Sequence, residues 1–258
     1  MKYSKLSIYL LLALAFLRCT KEAGSPAPSS SNTGVGGSYS VFMIVGDYLY
    51  TITNTDIKTL SLEDPANPKL IDTQRIGENV ESIFNLDNRL FIGSGSGLYI
   101  YRIKDDGIPQ FVSSFAYDQF PIRPCDPVVA NDSFAFVTLN TVNGACRGTE
   151  IQLNQLAIFD ITDINNPVMI NTYPLSGPKG VGLDGNTVFV CDNEEGLKIF
   201  DVTNKYDIKL IKQFGGFTAY DVIPFDGLLL VVGPENLYQF DYSDLDNIHQ
   251  VSKIAIKP

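Results

Sequence analysis

The chain has 258 residues, 45% of them apolar and 19% charged, which is enough for a packed core and too apolar for a disordered chain. Its net charge of −10 excludes a nucleic-acid footprint, which needs clustered Lys and Arg, and adsorption to an anionic membrane surface. Val, Ile, Tyr, Phe and Thr fill the apolar runs and no helical periodicity follows the N-terminus, so the chain reads as all-β.

In chain order, Lys2 and Lys5 precede an apolar run of 12 residues, Leu6 to Leu17. That is too short to span a bilayer and suits the core of a signal peptide. Cys19 follows, then TKEAGSPAPSSSNTGVGGS. The run and its cysteine resemble the leader of a bacterial lipoprotein, with Arg18 where a small residue is usual. The resemblance implies cleavage before Cys19, lipid attachment at Cys19 and anchoring to the outer membrane. Lys21 and Glu22 resemble a surface-export signal. The alternative is a secretory peptide cut elsewhere, with Cys19 discarded. Losing residues 1–18 removes three basic residues and no acid, so the charge becomes more negative by three. Residues 19–38, rich in Ser, Gly and Pro, read as a flexible tether.

From residue 39 to 258 the chain repeats. Apolar anchors fall at Leu60, Tyr101, Phe159, Phe200 and Phe240, at spacings of 41, 58, 41 and 40. About ten residues before each lies a second apolar strand: DYLYTI, RLFIGS, FAFVTL, TVFVCD and LLLVVG. A polar turn and another apolar run follow each anchor. A period near 40 with four short strands per unit predicts a five-bladed β-propeller of four antiparallel strands per blade. One unit alone would leave its apolar faces wet, and stacking units around an axis covers them. In this layout the chain begins on an innermost strand and finishes on an outermost one, with no strand exchanged between the ends. A sandwich or solenoid is the competing arrangement. The phrases QLAIFDIT and GLKIFDVT resemble the LVIVD repeat of secreted bacterial and archaeal proteins, which implies a propeller and leaves the activity open.

The third unit is oversized. AYDQFPIRPCDP precedes it and NTVNGACRGTEIQLN interrupts it, and the propeller layout places both insertions on one face. Each carries one cysteine, and in an exported chain Cys125 and Cys146 are expected to pair. The bridge would close a loop of about 20 residues, worth roughly 3 kcal/mol. Cys191, inside an apolar strand, reads as a small buried hydrophobe.

Catalytic chemistry is thin: there is one histidine, His249, and no zinc spacing, nucleophile elbow or phosphate-cradling loop. No catalytic residue is assigned. Ser40, Glu81, Asp126 and Lys179 occupy equivalent places at the starts of innermost strands, with Asp221 one position off. Glu81, Asp126 and Asp221 are thus candidate oxygen ligands for calcium at the channel mouth, or solvated channel groups. The same face carries Arg75, Tyr117, Phe120, Arg123, Arg147, Glu194, Phe217 and Tyr220, and arginine with aromatics is the composition that anchors partners.

The expected function is a non-enzymatic, monomeric envelope lipoprotein that binds a protein or small ligand on this face, its partner an envelope protein or a carbohydrate, touches the membrane only through its lipid and needs no cofactor. The alternatives are a propeller hydrolase or lyase using a cation at the mouth, and a purely structural envelope component.

Overall fold

The computed structural model describes residues 37–118, 127–141 and 153–256. They belong to the second of the two units into which the chain divides, residues 1–31 and 32–258. Cys19, expected to carry a lipid, and Cys125 and Cys146, expected to pair, lie outside the described residues, as do Phe120, Arg123, Arg147 and Asp126.

Among the described residues, twenty strands form five sheets of four. Sheet one is β1 (Phe42–Val45), β2 (Tyr48–Ile52), β3 (Asp56–Ser61) and β4 (Lys69–Arg75); sheet two is β5 (Val80–Leu86), β6 (Arg89–Ser94), β7 (Gly97–Ile103) and β8 (Pro109–Ala116). Sheet three is β9 (Val128–Ala130), β10 (Phe134–Leu139), β11 (Gln155–Asp160) and β12 (Val168–Pro174); sheet four is β13 (Val181–Asp184), β14 (Thr187–Cys191), β15 (Leu197–Asp201) and β16 (Lys209–Phe214). Sheet five is β17 (Asp221–Phe225), β18 (Leu228–Val232), β19 (Asn236–Asp241) and β20 (His249–Ala255). Each sheet is an antiparallel meander of consecutive strands, so among the described residues no sheet combines strands from the first and last repeats. The first strands touch in turn, β1 with β5, β5 with β9, β9 with β13 and β13 with β17. The fold is a five-bladed β-propeller.

The second strands β6, β10 and β14 are apolar without alternation because neighbouring blades cover both their faces. The anchors all lie on third strands. Tyr101, Phe159, Phe200 and Phe240 are at most 3% exposed, and each packs against the preceding sheet.

The polar turns are built by side-chain caps. Asp160, Asp201 and Asp241, each next to its anchor, accept from the amides of Thr162, Thr203 and Ser243 at 2.9, 2.8 and 2.9 Å. The amide and hydroxyl of Thr162 hold the Asp160 carboxyl below the usual range, and the hydroxyls, with the amides, of Thr203 and Ser243 do the same for Asp201 and Asp241. The aspartate of the repeated phrase is therefore a turn former. At the β17–β18 hairpin Asp226 and Gly227 both have positive φ, 47° and 78°, the requirement of a tight two-residue turn.

Every sheet also carries one irregularity at the same place. The outermost strand skips a residue just beside the anchor. The skipped residues are Ile71, Val112, Ile170, Ile211 and Val251, all β-branched. Such a bulge bends the strand and increases its twist.

Candidate functional site

The channel mouth is formed where the innermost strands begin. Ser40 precedes β1, Glu81 is the second residue of β5, Lys179 precedes β13 by two, and Asp221 opens β17. Sequence spacing placed these residues at one end, and the structure does the same. Glu81 sits at a register shift between Val80 and Ser82, outside the ladder. Burial pushes its carboxyl up to about 7. Burial also lowers the Lys179 ammonium, which lies 4.1 Å over the Tyr220 ring.

Asp221, one of the three expected calcium ligands, is engaged by the protein itself. Ser38 Oγ donates to its Oδ1 at 3.1 Å, and Val222 N at 2.9 Å. The backbone amides of Ser38 and Tyr39 donate to it as well. A Cβ at Gly37 would stand 2.0 Å from Oδ2, and one at Gly180 2.3 Å from Oδ1. Protein therefore closes around the carboxylate, and burial raises its pKa despite the bonds. Ser38 Oγ also accepts from Val181 N at 2.7 Å, and Ser40 O accepts from Ile83 N at 2.9 Å. Residues 37–40 thus bridge the first strands of sheets two, four and five. Ser38 was assigned to the tether, yet it is 1% exposed and belongs to the propeller. Among the described residues no three His, Cys, Asp or Glu side chains are placed to hold a metal ion.

The candidate binding residues divide. Arg75, at the end of β4, and Glu194, in the β14–β15 turn, are exposed. Tyr220 is half-buried beneath Lys179. Tyr117 is 3% exposed and lies in the core between sheets two and three, its ring 6.3 Å from Phe115. Phe217 packs 4.3 Å from the Tyr238 ring, against the core between sheets four and five. These two aromatics are scaffold rather than display, because a wide ring beside an apolar inter-sheet seam gains more by covering it.

Sequence reasoning missed a buried ion pair at the same end. Asp192 is fully buried and accepts Lys198 Nζ at 2.5 Å, with Ser176 N at 3.0 Å and Gly177 N at 2.7 Å. It ties the β12–β13 connection to the β14–β15 hairpin. The signal was the opposition of the two residues across DNEEGLK. Cys191 is buried in the core as expected, and burial pushes its thiol up. His249 is exposed, its Nδ1 2.9 Å from Asn247 O.

Two surface grooves open toward the other face. One, of about 550 Å³, runs between Asn186, Thr203, Lys212 and Asp246. The other, of about 490 Å³, lies among Asn88, Arg102 and Asp105. Neither reaches the mouth.

No family model matches the chain. An uncharacterised protein of Archaeoglobus fulgidus is 25% identical over 194 residues, which cover 66% of this chain and 31% of that one. The chain thus spans about a third of that relative's length. Among solved structures, a protein from Lactobacillus plantarum matches with a TM-score of 0.62 at 16% identity, over 82% of this chain and 69% of that one. The periplasmic gluconolactonase PpgL of Pseudomonas aeruginosa matches with a TM-score of 0.58 at 12% identity, over 81% and 69%. At such identities the likeness is one of fold, which hosts unlike functions.

Proposed function

We propose that this chain is a non-catalytic, lipid-anchored protein of the bacterial cell envelope, with LVIVD-type repeats, which holds a protein or carbohydrate partner on one propeller face. The observation that supports the reading is the placement of the long connections. β9 begins and β10 ends at the mouth end of sheet three, where the long β8–β9 and β10–β11 connections attach. That end also presents Arg75, Glu194 and Tyr220. Loops held on a rigid sheet scaffold are where binding residues concentrate. Mouth acids engaged by protein, as at Asp221, favour a scaffold over an ion-dependent hydrolase.

The anchor and the binding face are tested separately. Cys19→Ala should abolish metabolic labelling with palmitate and release the chain from the membrane fraction. Intact-protein mass spectrometry should show Cys125 and Cys146 bridged. A photo-crosslinking residue at Glu194 should capture a partner in intact cells, whereas the same group at Tyr206, 71% exposed on the opposite face, should not. Capture from Tyr206 alone, or from neither position, would refute the assignment of the face.

A further inference from the structure

Every joint between consecutive blades is made from the same two surfaces. The face holding the anchor receives the preceding sheet, and the reverse face receives the next. Sheet two offers the row Asn85–Leu90–Tyr101–Phe111, and sheet four Leu183–Val188–Phe200–Leu210, each crossing four strands in register. Four such joints carry the four core clusters, between sheets one and two, two and three, three and four, and four and five. Among the described residues no cluster joins sheet five to sheet one.

Two complementary half-joints are therefore left uncovered. Sheet one presents the matching row Ile44–Leu49–Leu60–Leu70. There Ile44 is 45% and Leu70 58% exposed, and Leu60 is half-exposed where its four counterparts are buried. Phe42, on the same side of β1, is 57% exposed. Sheet five presents Ile223, Leu228, Leu230, Val232 and Leu237 on its reverse face, with Phe225 59% and Ile254 56% exposed. Apolar patches of this kind on a soluble domain mark interaction surfaces.

We propose that the reverse face of sheet five seats on the anchor face of sheet one of a second copy of this chain. The argument for that occupant is the repeat itself. The two faces are the halves of a joint that the chain already builds four times: an aliphatic row crosses all four strands of sheet one, and the inner strands of sheet five's reverse face carry Ile223, Leu228, Leu230, Val232 and Leu237. A second copy offers the required partner surface without further design. The contact is head-to-tail, so copies either close a ring or continue as an open chain. This reading is independent of the partner-binding face, and it replaces the monomer expected from sequence.

The test is the mass of the full chain in a mild non-ionic detergent, followed by sedimentation and light scattering across a concentration series. Phe42→Glu with Ile44→Glu charges one half-joint, and Phe225→Glu with Ile254→Glu charges the other. All four side chains are exposed within one ring, so folding should survive, and circular dichroism checks it. The unsubstituted chain should reach at least twice its own mass. Each doubly charged variant alone should stay at one mass. An equimolar mixture of the two variants should stop at two masses, because one intact joint remains between them. An unsubstituted chain that stays at one mass, variants that keep the higher mass, or a mixture that fails to associate would each overturn the proposal.

Discussion

Truncating the same repeat position in two different sheets should have unequal consequences. Phe200 is fully buried, and its ring meets Tyr173 edge-on at 4.9 Å between sheets three and four. Phe200→Ala removes the transfer energy of the ring and leaves a cavity, a loss of about 4 kcal/mol. Leu60 occupies the equivalent place in sheet one but faces no preceding sheet. Leu60→Ala removes a half-exposed side chain and opens no closed cavity, so it should cost only about 1 kcal/mol. For a domain of this size the two variants should melt about 10 °C and about 3 °C below the parent. Urea unfolding followed by circular dichroism measures both, with unchanged m-values showing that the same surface unfolds. The comparison is made in dilute solution, where copies are apart. Equal losses for the two variants would mean that Leu60 is covered within the ring, and the reasoning about the uncovered seam would fail.

Glu81 should titrate near neutrality: its carboxyl is held at about 7, above its unfolded value, so the folded state binds more protons and stability falls as pH rises through this window. Glu81→Gln should therefore be more stable than the parent at pH 8 and nearly equal at pH 4; the reverse order in thermal melts would refute the burial argument. Asp221→Ala removes the acceptor for Ser38 and the 37–40 segment and should cost about 1–3 kcal/mol, with faster amide exchange at Val222 and around Ser38. Gly37→Ala should loosen the same segment, since its Cβ has no room beside Asp221. Asp192→Ala strands the Lys198 ammonium and two loop amides and should cost about 3–5 kcal/mol, whereas Lys198→Met should cost less because the amide bonds to Asp192 survive.

The architecture was legible because its causes are local and repeated. DYLYTI, RLFIGS, FAFVTL, TVFVCD and LLLVVG fall on β2, β6, β10, β14 and β18 within a residue or so at either end. The mouth positions were legible for the same reason, since spacing within a repeat maps onto height in a blade. What spacing does not contain is direction and contact across the ring. Tyr117 and Phe217 look like display residues in a loop, and only the third dimension shows the apolar seams beneath them. Asp221 looked like a ligand because its capping partner Ser38 reads as tether. The bulges at Ile71, Val112, Ile170, Ile211 and Val251 were invisible because a skipped β-branched residue has the composition of an ordinary strand. The unsealed seam was likewise hidden, because five similar units imply a closed ring unless curvature is known.

The most direct test of an open stack of five blades is hydroxyl-radical footprinting with residue-level mass spectrometry, below the concentration at which copies associate. Phe42 and Phe225, 57% and 59% exposed, should be oxidised readily, while Phe136, Phe159, Phe189 and Phe200 stay protected. Protection of Phe42 and Phe225 to the level of Phe200 would show a sealed ring, and free oxidation of all six would show that the blades do not stack as described.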